Sequence, residues 1–129
     1  MKMRVVTVAC LVLLLFLAGC ELVDPYKLHP PAWIWGEWAP ASDTSMFSFT
    51  FTETTVLETI GLTTLDLGEL YKQSNTNVTE TITDTVYAFR VPAGDGYMRM
   101  KFDKVDSNTL NYTLETNLST TGPVPLQRL

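Results

Sequence analysis

Few side chains in this 129-residue chain are equipped to make or break a bond. It has one histidine, His29, and two cysteines, Cys10 and Cys20. Nucleophilic catalysis needs a serine or cysteine within hydrogen-bond reach of a base, and structural zinc needs several Cys or His ligands. His29 lies in ELVDPYKLHPP, residues 21–31, an aperiodic run with three prolines, and Cys10 lies inside an apolar run. Ser-His, Cys-His and the usual zinc sets are therefore not expected, and a lone His beside Pro30 reads as inert. The acids Asp95, Asp103 and Asp106 fall at turns without the D-x-D-x-D-G spacing of a calcium loop, so they read as solvated turn residues. Two carboxylates converging from distant strands, as in glycosidases, are the enzymatic option left open. No catalytic residue, metal or cofactor is expected.

Cys20 invites a different chemistry. Lys2 and Arg4 precede a run over residues 5–17 that has no charge and only Thr7 as a clearly polar side chain, the layout of a secretory signal. The run is shorter than the roughly 20 apolar residues that span a bilayer and ends in small residues. Those residues, Leu17-Ala18-Gly19-Cys20, resemble the bacterial lipobox. The resemblance implies a signal peptide over 1–19, removed before Cys20, and a diacylglycerol on the Cys20 sulfur. Cys10 would leave with the signal and no disulfide could form, so an exported domain must rest on its apolar core. Each buried acyl CH₂ contributes about 0.8 kcal/mol, and several chains together make a stable anchor. Glu21 follows the cysteine, whereas an aspartate there resembles an inner-membrane retention signal, so the outer membrane is the expected address in a Gram-negative envelope.

The remainder is acidic. Removing Lys2 and Arg4 from nine basic residues leaves seven against fourteen acidic ones, a net charge of −7. Nucleic acid and anionic headgroups both require a basic patch, so neither is an expected partner of the domain. Residues 20–31 read as a lipidated tether, and 32–129 as one β-barrel domain.

Within that domain the pattern has period two. Phe47, Phe49 and Phe51 alternate with Ser48, Thr50 and Thr52 over 46–52, a half-buried strand. A second strand over 54–60 stops at Gly61. Further strands are expected at 78–83, at 85–91 with Tyr87, Phe89 and Val91 on one face, and at 97–102 with Met98, Met100 and Phe102 on one face. Leu110, Tyr112 and Leu114 mark the next, and a last strand follows Pro123. Turns of the Gly94-Asp95 and Ser107-Asn108 kind separate them. The 18 threonines after Cys20 suit solvent faces of strands. Residues 65–73, LDLGELYKQ, read as strand plus turn, because Gly68 weakens a helix. About eight short antiparallel strands fit a meander barrel or a small sandwich.

Trp33-Ile34-Trp35-Gly36-Glu37-Trp38 contains Gly36-x-Trp38 just before the first strand, which resembles the G-x-W opening lipocalin-like barrels. That resemblance implies that Trp38 plugs the closed end of the barrel and that Arg128, near the final strand, packs across it. The chain is most similar to small bacterial lipocalin-like lipoproteins. If the segment is extended with Trp38 buried, Trp33 and Trp35 point outward and could anchor an interface; if it turns, one of them is buried. A barrel of this size is either filled by its own side chains or holds one small ligand, and the inward phenylalanines, tyrosines and methionines favour filling. Two functions are expected from this: a lipid-anchored interaction or structural module with an envelope protein partner, or a carrier of a small apolar ligand.

Overall fold

The computed structural model describes residues 27–129. The expected signal region, Cys20 and the expected tether as far as Tyr26 lie outside the described residues. A 3₁₀ turn at Ala32–Ile34 leads into β1 (Gly36–Pro40), β2 (Phe47–Phe51), β3 (Val56–Ile60) and β4 (Thr63–Asp66). Helix α1 (Leu67–Gln73) follows, then β5 (Thr79–Ile82), β6 (Val86–Ala93), β7 (Gly96–Asp106), β8 (Thr109–Thr116) and β9 (Thr120–Arg128). The protein is all-β: one nine-stranded antiparallel sheet, order β4-β3-β2-β1-β9-β8-β7-β6-β5, curled into a half-barrel.

The pairing is a meander whose ends meet, because β1 lies against β9. The one interruption falls between β4 and β5, the edges of the sheet. Its cause is parity: alternating nine strands around the curl leaves β4 and β5 running the same way, so they cannot be antiparallel neighbours. The chain must travel back along the barrel between them, and α1 makes part of that return. Leu67 and Tyr71 of α1 are buried in the common core, with the Tyr71 ring 6.3 Å from Phe89 on β6.

The period-two pattern selects the inner face. Phe49, Phe51, Tyr87, Phe89, Met100 and Phe102 are buried, while Phe47 and Met98 are partly buried against them. Phe102 stands at the centre, its ring 5.1 Å from Phe49, 4.9 Å from Phe51 and 5.1 Å from Tyr112. Such edge-on and offset contacts satisfy the ring quadrupoles and contribute about 0.5–1.5 kcal/mol each beyond area burial.

An expectation is corrected. Residues 65–73 are the end of β4 and then a helix, rather than strand plus turn. Asp66 caps the helix by accepting from the Glu69 amide at 3.0 Å. Beyond Ser74, Asn75 takes a positive φ of 52°, and the amides of Asn75 and Thr76 return to the carbonyls of Lys72 and Tyr71, a Schellman ending. Gly68 serves close approach: its amide donates to the Thr55 hydroxyl at 3.1 Å, and a Cβ there would collide with that oxygen. β4 also brings the strand count to nine where about eight were expected. Ahead of the 3₁₀ turn, Leu28 is completely buried in the core and Pro30 is buried as well.

Candidate functional site

The strand registers give the half-barrel two distinct ends. Phe51, Val56, Asp66, Val86 and Arg128 lie toward one; Phe47, Ile60, Thr63, Gly96 and Thr120 lie toward the other. The chain enters at the first end, through Leu28 and the 3₁₀ turn.

That first end is sealed. Trp38 is wholly buried, and its indole N–H donates to the Ile34 carbonyl at 2.8 Å. Arg128, directly opposite Trp38 in the β1–β9 register, lays its guanidinium carbon 4.2 Å from the centre of the indole. The same guanidinium donates to the carbonyls of Trp33, Trp35 and Ser107, so one side chain ties the entering segment to the β7–β8 turn. Gly36 makes room for it: its φ is +120°, and a Cβ would stand 2.9 Å from the Arg128 Nη1.

Trp33 and Trp35 are also occupied here. The extended geometry that would have pointed both outward is replaced by the 3₁₀ turn. Trp33 is half-buried, with its indole N–H on the Thr83 carbonyl at 3.0 Å and the Lys104 ammonium 5.8 Å from its ring. Trp35 remains 40% exposed, but its N–H is bonded to the Pro30 carbonyl at 2.8 Å.

His29 is not idle. The Glu80 carboxylate on β5 accepts its backbone amide at 2.8 Å, its ring Nδ1–H at 2.7 Å and the Tyr87 hydroxyl at 2.7 Å. A carboxylate can only accept, so the ring proton sits on Nδ1. Burial, followed by the charge and hydrogen bond of Glu80, pushes the Tyr87 hydroxyl far above its ordinary pKa. The cluster straps the entering chain to the sheet edge; the described geometry gives it no open position for a substrate.

The opposite end is open. Its loops carry Met46, Leu62 and Leu118 as exposed apolar side chains, with Ile60 exposed at the rim of β3. Inside that rim, Phe47, Met98, Leu114 and Tyr112 are only partly buried. Glu58 is there too. It pairs with Phe49 and with Leu65, and shares the inner face of β3 with Val56 and Ile60. Burial raises the Glu58 carboxyl above its ordinary pKa. Burial, then the Glu58 charge, raises Tyr71 and Tyr112 to about 12. An acid at an inward position went unnoticed in the sequence, although Val56-Leu57-Glu58-Thr59-Ile60 displays it at the apolar parity.

Among the described residues, surface clefts lie away from the inward rings. One, of about 220 Å³, is bordered by Lys27, Thr55, Asp66 and Lys72; another, of about 200 Å³, runs beside Arg90 and Tyr97. Of the acids read as turn residues, Asp95 lies in the β6–β7 turn and Asp106 ends β7 and accepts the Asn108 amide, but Asp103 is corrected to a strand position, within β7 opposite Val86 and Asn111 and 3.6 Å from Lys101. Among the described residues no three His, Cys, Asp or Glu side chains converge as metal ligands.

Comparison with protein-family models finds no match, and neither curated proteins nor solved structures yield one.

Proposed function

We propose that this is a lipid-anchored envelope protein, held by acyl chains on Cys20, that engages a protein partner with the open end of its half-barrel. The observation carrying this reading is the polarity of the molecule. The described chain begins at the sealed end, and the apolar tips Met46, Leu62 and Leu118 project from the other. Leu62 and Leu118 are the two most exposed large apolar side chains among the described residues and stand at one end with Met46 and Ile60, while Trp35, Ile82, Val105 and Leu129 are exposed to a lesser degree toward the other; fully exposed apolar residues gathered together mark interaction sites more often than those scattered singly. The interface first sought at Trp33 and Trp35 is moved by this reading to the opposite loops, since both indole N–H groups are already bonded within the chain. The ring-to-ring packing around Phe102 supports an interaction module over a carrier of a small apolar ligand. Likeness to small lipocalin-like lipoproteins draws support from the meander and from Trp38 under Arg128. Outer-membrane placement rests on Glu21.

Two measurements test this. Labelling bacterial cells with an alkyne fatty acid should mark the protein, and Cys20→Ser should lose the label and leave the membrane fraction; an unchanged membrane-bound C20S variant would sink the anchor. A photo-crosslinking residue at position 62 or 118 should give one discrete adduct that the same residue at Lys101, on the outer wall, does not. Identical adduct patterns from all three positions would remove the case for an interface at the open end.

A further inference from the structure

The open end contains a feature that an apolar contact surface does not need: a carboxylate set inside it. Glu58 faces inward between Phe49 and Leu65 in the sheet register. Among the described residues the ion pairs are His29–Glu80, Arg99–Glu115 and Lys101–Asp103, none of which involves Glu58. Its neighbours on the inner face are apolar or aromatic: Val56 and Ile60 along its own strand, and the Phe49 ring, itself 5.0 Å from that of Tyr112. Ile60 at the rim is two residues further along β3, so Glu58 is set back by about 7 Å at the rise of a strand. That depth matches the four-carbon stem of a lysine, whose apolar part would pass Ile60 and Phe47 while the ammonium reached the acid.

We propose that the mouth of the half-barrel receives a lysine side chain of a partner protein, with Glu58 as its counter-ion and Met46, Ile60, Leu62 and Leu118 packing on the apolar residues that flank that lysine. This deepens the interaction reading and rests on it. A polypeptide is the occupant that uses both parts of the surface, because the loop-borne tips stand around the mouth, outside the place where a small amine would sit. The raised pKa of the Glu58 carboxyl points the same way, since a half-buried charge without a partner gains most from acquiring one.

The test uses the full lipidated chain in nanodiscs with ¹³C-methyl methionine, where Met46 and Met98 report from the rim and inner wall of the mouth and Met100 from the core. The probe is the peptide acetyl-Leu-Lys-Leu-amide, compared with the same peptide carrying acetyl-lysine. The expected result is that both move Met46 and Met98, that the lysine peptide binds about tenfold more tightly, as a charged hydrogen bond allows, and that Glu58→Gln abolishes this preference while Met100 keeps its position. Equal binding of the two peptides, or a preference that survives E58Q, overturns the proposal. Quenching of the Met46 methyl by spin-labelled lipid, without peptide, would assign the tips to the bilayer and also overturn it. Discrete crosslinks from positions 62 and 118 together with indifferent peptides would leave the interaction reading standing and remove only the lysine; absence of both results removes both.

Discussion

Gly36 and Arg128 occupy adjoining space, and each makes sense only with the other. A methyl group at position 36 would meet the guanidinium at 2.9 Å and would have to adopt φ +120°. Gly36→Ala is expected to cost about 1–3 kcal/mol, the usual price of a strained backbone, measured as a lower urea midpoint. Arg128→Lys is expected to cost about as much, roughly 1–3 kcal/mol, because an ammonium cannot span the carbonyls of Trp33, Trp35 and Ser107. The inner tyrosines give a pH dependence. Tyr71 and Tyr112 ionise at about 12 in the folded chain against 10.0 when free. The unfolded chain therefore releases these protons first, and stability should be intact below pH 10 and fall between about pH 10 and 12. Absorbance of phenolate in that window, arriving together with unfolding rather than before it, is the check. Glu58 obeys the same sign at lower pH: its raised folded pKa makes the ionised form a cost to folding. E58Q should hence be slightly more stable than wild type at pH 7.

Among the elements, α1 depends most on single residues. It has only seven residues, too few to persist on propensity alone, so its cap and its two buried side chains decide whether it forms. Asp66→Ala removes the bond to the Glu69 amide and the acceptor for the Thr55 hydroxyl. A loss of about 1 kcal/mol is expected from the cap, visible as faster hydrogen exchange at Leu70 and Tyr71 before any change in β7. The strands were legible in the sequence because Phe47-x-Phe49-x-Phe51 and Met98-x-Met100-x-Phe102 spell out one buried face. The helix was obscured by Gly68, whose reason is a hydroxyl thirteen residues away on Thr55. Asp66-x-x-Glu69 ahead of Leu70 and Tyr71 was the local signal for it. The bonding of His29 to Glu80 was not legible, since it depends on contacts between residues 51 apart, and the burial of Leu28 depends on the folded core that receives it. At the sealed end, Trp38 and Arg128 could be paired only through likeness to a fold, but the carbonyls that Arg128 also gathers could not be foreseen.

For the whole molecule, the decisive pairing is that of β1 with β9. It joins the ends of the meander, with the bond from Arg128 to Trp35 spanning 93 residues. A chain ending before Thr120 would leave β1 and β8 each with an unpaired edge, and such edges recruit other chains. Truncation after Ser119 should thus yield aggregates by light scattering where the complete chain stays dispersed; a dispersed, folded truncation would show that the seam is dispensable.

The same seam imposes an order in time. Strand β1 emerges early, yet the partner that covers its second edge is the last strand to be delivered, so throughout synthesis the growing sheet carries a raw flank. Pairing across so many residues is slow compared with the neighbouring hairpins. The nascent protein therefore spends its youth as an adhesive half-finished ribbon, and the cell that makes it must keep that ribbon apart from its siblings until Arg128 arrives to lock Trp38 in place.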